Sequence, residues 1–267
     1  MTAIRRQSVS RGVVACAVLA SAVLLLPILG LLWRVPWSGL LEQLTTADSK
    51  KALVLSLETS VVAAFLAVVL GVPSAWMLAR GNQRVAGLLR PWVTSPLVLP
   101  PTVAGLALLV LMGRNGILGR SLYELTGWAM PFTTIAVVVA GLFVGMPFVV
   151  LVVEAAFRQL PIDIEEAAVT DGANASDIFW RIALPQTRNA VVTGATLAWA
   201  RALGEFGATL TFAGSLPGVT RTLPMQVYVA LESDLPNAYA LSAVLIAISL
   251  AVLYLLRSSL LSIWSSR

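Results

Sequence analysis

Arg201 and Glu205 are the residues whose types and spacing most directly suggest chemistry: a cation and an anion four positions apart inside a long apolar run. On a helix that spacing puts both side chains on one face, about 6 Å apart along the axis. Counted inward from Ala190, Arg201 lies about 16 Å deep, near the middle of an apolar layer about 30 Å thick. An ion there costs at least a few kcal/mol unless paired or hydrated, so the two must face protein or a cavity. Three uses remain open: a structural ion pair, a gate element, or direct contact with an anion, whose oxygens suit a bidentate guanidinium.

Other reactive groups are scarce. The chain has no histidine and a single cysteine, Cys16, inside the first apolar run, so an intrachain disulfide is impossible and a metal site lacks ligands. Cys16 reads as lipid-facing or as packing filler. No span holds paired carboxylates and no serine has a plausible base, which leaves no catalytic constellation. The G-x-x-x-x-G-K-[ST] phosphate cradle is missing, so any ATP-derived energy must come from another chain. Catalytic residues, metals and cofactors are all expected to be none.

The elements that must position Arg201 and Glu205 follow from composition. Of 267 residues, 58% are hydrophobic and 12% charged, against about 25% charged in a soluble domain. A net charge of +5 raises nucleic acid as a partner, but the basic residues are dispersed between apolar runs instead of sharing a face, and no nucleic acid is expected. Six runs are long enough to cross a bilayer as helices: Val13 to Trp33, Leu55 to Ala79, Trp92 to Met112, Phe132 to Val153, Ala190 to Phe212 and Ala238 to Leu256. They are apolar all round, unlike the alternating pattern of membrane strands. The expected class is an all-α integral membrane protein with six transmembrane helices.

Orientation follows from the distribution of basic residues. With the N-terminus inside, Arg5, Arg6, Arg11, Arg80, Arg84, Arg90, Arg158, Arg181, Arg188, Arg257 and Arg267 are cytoplasmic. Arg34, Lys50, Lys51, Arg114, Arg120 and Arg221 are then outside, balanced by Glu42, Asp48, Glu58, Glu124, Glu232 and Asp234. Both termini are therefore expected in the cytoplasm. The first run is read as an uncleaved span and not a secretory signal, because it is about 20 residues long and no small-x-small cleavage signal precedes Arg34 and Pro36. The expected organisation is a tail at residues 1–12, one membrane domain at 13–257 with a cytoplasmic loop at about 154–189, and a tail at 258–267.

Two spans carry features that bear on function. Pro96, Pro100, Pro101 and Gly105 interrupt the third, which reads either as a packing kink or as the border of a pathway. Ala200, Gly204 and Ala208 recur every four residues in the fifth and offer a seam for close helix approach. The loop between the fourth and fifth spans has helix signals of its own. Pro161 and Asp163 mark a start, Glu165 and Glu166 put negative charge in the first turn, and Gly172 supplies a break. A second helix is expected to begin at Asp177, present Ile178, Phe179, Ile182 and Leu184, and stop at Pro185. The small face at Ala167 and Ala168 suits a docking knob; an amphipathic hairpin lying on the bilayer is the alternative.

Glu166, Ala167, Ala168, Gly172, Ile182, Leu184 and Pro185 keep the spacing EAA, three residues, G, nine residues, I-x-LP. That pattern resembles the cytoplasmic loop of binding-protein-dependent ABC importer permeases. The runs RALGEFGATLTFAG, PGVTRTLP, VYVALE, LVLPPTVAGLALL and GRNGILGR resemble the molybdate permease branch of the sulfate/molybdate oxyanion family. The resemblance implies an ABC permease fold in the bacterial plasma (inner) membrane, working with ABC ATPase subunits, an extracytoplasmic substrate-binding protein, a second permease copy as a homodimer, and membrane lipid. It makes the seven loop positions ATPase-coupling residues, and it makes Arg201, Glu205, Thr209, Pro100 and Pro101 candidates for a translocation pathway or gate. Molybdate is the expected cargo, with tungstate its near-identical dianion. Sulfate and thiosulfate permeases share the GEFGA-like core, so the TRTLP segment chiefly separates them. An ion-coupled secondary transporter is a weaker alternative, since only Glu205 stands as an intramembrane carboxylate and it has a cation beside it.

Overall fold

The structure, a computed structural model, describes residues 10–265, with side chains described as far as Tyr254. Arg5, Arg6 and Arg267, which entered the charge count, lie outside the described residues, as do residues 1–9 of the first tail.

Helix α1 (Arg11–Arg34) begins at a Ser10 cap and buries none of its side chains in the protein. Its apolar surface, Cys16 included, is exposed. A short α2 (Leu40–Thr45) leads to α3 (Ala47–Arg80). This helix starts before the apolar run because the Thr46 side chain accepts the Ser49 N–H and Asp48 sits in the first turn. The next run, read from sequence as one span, is two helices. Amphipathic α4 (Gln83–Thr94) and apolar α5 (Pro101–Met112) meet at 116° across a tight turn, Ser95–Leu97. Pro96, Pro100 and Pro101 lack the N–H groups that a continuous ladder would need there.

Beyond α6 (Gly119–Thr126), α7 (Thr134–Gln159) carries the chain to the loop. The loop contains α8 (Ile162–Thr170) and then a continuous helical stretch: α9 (Ala175–Asp177), a π-helical segment (Ile178–Ala183) and α10 (Leu184–Gln186). The fifth run is α11 (Arg188–Leu203) and α12 (Gly207–Ala213), separated at Gly204, Glu205 and Phe206. An element not expected from the sequence, α13 (Leu223–Ser233), precedes the last helix, α14 (Leu235–Ser265). Among the described residues four helices are individually long and apolar enough to cross a bilayer, or five if the bent α4–α5 pair counts as one.

Helices α3, α7 and α11 form the centre. Small residues let their backbones approach: a methyl added at Gly194 of α11 would stand 3.0 Å from Val149 Cα of α7, and one at Gly145 the same distance from the Ala198 carbonyl. Ala67, Ala75, Val149, Val150 and Ala198 are accordingly buried. Hydroxyls along α3 tie it to successive neighbours. Ser49 Oγ donates to Asn237 Oδ1 of α14 at 3.3 Å, Ser56 Oγ accepts the Leu223 N–H of α13 at 2.6 Å, and Ser60 Oγ accepts from Trp199 Nε1 of α11 at 3.0 Å.

Candidate functional site: the loop between α7 and α11 and the broken helix

The loop is mounted on charges. Arg80, the last residue of α3, donates Nε to Glu165 Oε1 at 2.8 Å and Nη2 to the Leu160 carbonyl at 3.0 Å. Arg158, near the end of α7, returns the favour by donating Nη2 to the Leu78 carbonyl at 2.9 Å. Each helix thus satisfies carbonyls that the other leaves unpaired at its C-terminus, with cations where the helix dipole favours them. Behind them Glu154, buried to 5% exposure, accepts from Arg158 Nε at 2.9 Å and pairs with Arg90 of α4. Trp76, Phe157 and Phe179 complete the mounting, their ring centroids 5.0 to 6.3 Å apart.

The expected coupling residues divide into two groups on this platform. Glu166 and Ala167 are exposed on α8, Ala168 is half-buried, and Ile162, Ile164 and Val169 stand exposed beside them. Asp163 and Glu165, rather than Glu166, occupy the first turn. Gly172 reverses the chain with φ +89°, a conformation that glycine adopts without penalty. A methyl added there would meet nothing within 4 Å, so its requirement is conformational and not steric. The second group is partly anchored: Leu184 packs against the buried cluster to which Phe179 and Ala183 belong, Ile182 is half-buried, and Pro185 is exposed. The second helix starts at Asn174 and not Asp177, because Asn174 and Asp177 form a reciprocal capping box. Pro185 does not stop it; the preceding π turn carries the chain through proline into Gln186.

About 20 Å along α11 from Arg188, the second region centres on the break. Glu205, 3% exposed, pairs with Arg201 through Oε2 and accepts the Ala208 N–H on Oε1 at 2.8 Å. It therefore neutralises the cation closing α11 and caps the start of α12 with the same carboxylate. The break also means that Ala200, Gly204 and Ala208 do not share one helix face, as a continuous helix would require. The close approach occurs elsewhere: a methyl on Gly105 of α5 would lie 2.6 Å from the Ala208 carbonyl, and one on Gly207 would lie 2.7 Å from Pro101 Cβ. Pro100 caps α5, Pro101 begins it and meets Gly207, Glu205 holds the start of α12, and Thr209 is buried on α12 two residues beyond Gly207.

Sequence reasoning missed Arg80, Arg90, Glu154 and Arg158. The four-residue step from Glu154 to Arg158 was visible, but the other partners lie 64 to 85 residues apart in the chain. Among the described residues no group of His, Cys, Asp or Glu side chains could hold a metal ion.

A helical bundle with an exposed loop and a broken helix, in which four or five segments among the described residues are long and apolar enough to cross a bilayer, is the architecture of a multi-pass membrane protein. Residues 67–267 match the family described as "Binding-protein-dependent transport system inner membrane component", and the chain belongs to that family. The chain is 45% identical over 227 residues to the molybdenum transport system permease protein ModB of Mycobacterium tuberculosis, covering 85% of this chain and 86% of that protein. It is 37% identical over 212 residues to ModB of Escherichia coli, covering 79% and 93%. The fold is shared with a chain of a bacterial alginate ABC transporter solved with its pentasaccharide-bound periplasmic protein, at TM-score 0.71 and 14% identity over 92% of this chain and 94% of that one. A chain of the MetNI methionine ABC transporter matches at TM-score 0.62 and 16% identity, covering 79% and 95%.

Proposed function

We propose that this chain is the permease subunit through which an ATP-driven, binding-protein-dependent importer moves molybdate, or tungstate, into the cytoplasm. The observation that carries the cargo is 45% identity to a molybdenum permease across 85% of the chain. The α8 face with exposed Glu166 and Ala167 and half-buried Ala168 docks into an ATPase subunit, Gly172 turns the chain beneath it, and Ile182 and Leu184 seat the loop on the bundle with Pro185 exposed beside them. Movement of that loop reaches the Arg201–Glu205 joint through α11, and Thr209, Pro100 and Pro101 shape the gate there. Two copies of the chain surround the pathway, lipid covers α1, and both termini lie in the cytoplasm.

The test is uptake of radiolabelled molybdate, tungstate and sulfate by cells deleted for this chain. Loss of molybdate uptake, restored by the chain on a plasmid, is expected. Loss of sulfate uptake alone would assign the cargo to the sulfate and thiosulfate branch. Purified chain should bind no ATP, as measured by equilibrium dialysis; stoichiometric binding would contradict a separate energy-supplying subunit.

A further inference from the structure

We propose that the N-terminus of α13, with Arg221, Thr222 and Gln226, is a receiving site for a tetrahedral oxyanion inside the permease. The inference rests on the import reading above and adds the place where the anion is held.

The position comes from α3. Ser56, which holds the first N–H of α13, lies seven residues further along α3 than Ser49, which holds Asn237 at the start of α14. Seven helical residues span about 10 Å. Helix α13 thus begins recessed within the bundle and rises to the level at which α14 starts, with its N-terminus pointing inward. A half-helix so placed turns the positive end of its dipole inward; its first N–H is held by Ser56 and its second residue, Pro224, has none, so the dipole and the side chains, and not those two positions, would attract an anion.

Two buried groups at that end lack partners. Thr222 occupies the cap position with extended backbone, φ −74° and ψ 170°, yet its side chain makes no capping bond. Its Oγ1 is buried without a hydrogen-bond partner, and so is Oε1 of Gln226, one turn along on the same face. The two residues are 5% and 6% exposed. Unpaired polar atoms at such depth are costly, and two together call for a ligand. A half-turn of the Gln226 carboxamide would direct its N–H groups where the oxygen lies.

Charge supplies the sign of that ligand. Arg221, half-buried, donates Nε to Ser215 Oγ at 3.1 Å and Nη2 to the Ser215 carbonyl at 3.3 Å, and no carboxylate lies within 4.0 Å among the described residues. Arg80, Arg90, Arg158 and Arg201, by contrast, each hold a carboxylate. The loop that presents Arg221 is preformed: the Leu216 carbonyl accepts the N–H groups of Val219, Thr220 and Arg221, and Thr220 Oγ1 accepts that of Leu216 at 2.9 Å. A guanidinium, a hydroxyl and a carboxamide at a helix N-terminus match a tetrahedral dianion.

Equilibrium binding of radiolabelled molybdate and sulfate to purified permease in phosphatidylcholine nanodiscs, without ATPase or binding protein, tests the site. Wild type should bind saturably, Thr222→Val and Arg221→Gln about tenfold or more weakly, Arg221→Lys in between, and Gln226→Leu more weakly than wild type. A purely structural role predicts the opposite, because Thr222→Val and Gln226→Leu remove unpartnered polar atoms and should then bind as wild type while melting higher. Absence of saturable binding to wild type, equal binding by these variants, or displacement of the label by phosphatidylglycerol instead of free sulfate would overturn the site. Uptake by the complete reconstituted transporter judges the import reading separately. Normal import with no binding to the permease removes the site alone; saturable oxyanion binding without molybdate import removes the cargo and leaves the site standing.

Discussion

In the loop between α7 and α11 the charges lie behind the element and its apolar side chains face outward: Arg80, Glu154, Arg158 and Glu165 form the mounting, and Ile162, Ile164 and Val169 are exposed. At the 204–206 break the arrangement is reversed. Glu205 is enclosed with Arg201 half-buried beside it, its second carboxylate oxygen is used by Ala208 N, and α5 closes over α12 at van der Waals distance. One region satisfies its own polar groups and leaves apolar side chains exposed. The other is complete within this chain. Damage to the first should therefore appear as lost coupling at normal abundance, and damage to the second as a fault in the permease itself.

Gly172→Leu should have the largest effect on transport, abolishing uptake, because the non-glycine residue resists φ +89° and costs about 1–3 kcal/mol to hold there. Co-purification with the ATPase and binding-protein-stimulated hydrolysis in vesicles should fall together, with membrane abundance unchanged. Normal association, stimulation and uptake would remove the coupling role from this loop. Gly105→Ala probes the opposite region. Its methyl meets backbone at 2.6 Å, and separating α5 from α12 should cost about 1–3 kcal/mol, lowering folded abundance several-fold in a detergent melt. An unchanged melt would show that the α5–α12 contact yields freely and is not a closed joint.

Arg201→Ala should reduce uptake by about tenfold, through an uncompensated buried carboxylate, and Arg201→Lys by less. Glu205→Gln should partly rescue Arg201→Ala, since the amide oxygen still accepts Ala208 N while the charge imbalance disappears. Strictly additive uptake losses in the double variant would argue for separate roles. The smallest effects should come from the mounting. Glu165→Gln, which loosens only α8, should lower stimulated ATP hydrolysis about two- to threefold without changing the melting temperature, as expected for a partly exposed pair worth about 0.5 kcal/mol. Glu154→Gln, with two cations on one carboxylate, should lower the melting temperature first. The reverse ranking would mean that the mounting belongs to the docking surface.

The loop was legible because its signals are local. Proline before α8, acidic residues in its first turn and a glycine at the reversal each act within a few residues, and the motif spacing ties them together. The start at Asn174 was missed because a capping box four residues wide looks the same as an ordinary polar turn until the backbone closes it. The candidate gate was legible as residue types but not as geometry: Gly204 and Phe206 sit within an unbroken apolar run, and nothing in that run's hydropathy distinguishes a continuous helix from two.

By itself the sequence determined the solvent and the class. Apolar runs long enough to cross a bilayer, with no reactive constellation among them, leave an all-helical membrane bundle, since each residue's preference for lipid is its own and adds along the chain. Tertiary structure alone decided where the polar groups go. The exchange of arginines between the ends of α3 and α7, the tie of Trp199 to Ser60 and the Ser56 bond that sets the start of α13 all depend on partners distant in sequence. Inside a bundle a polar group must be satisfied by whatever packing brings near it, and that neighbour is a property of the fold and not of the run in which the group is written.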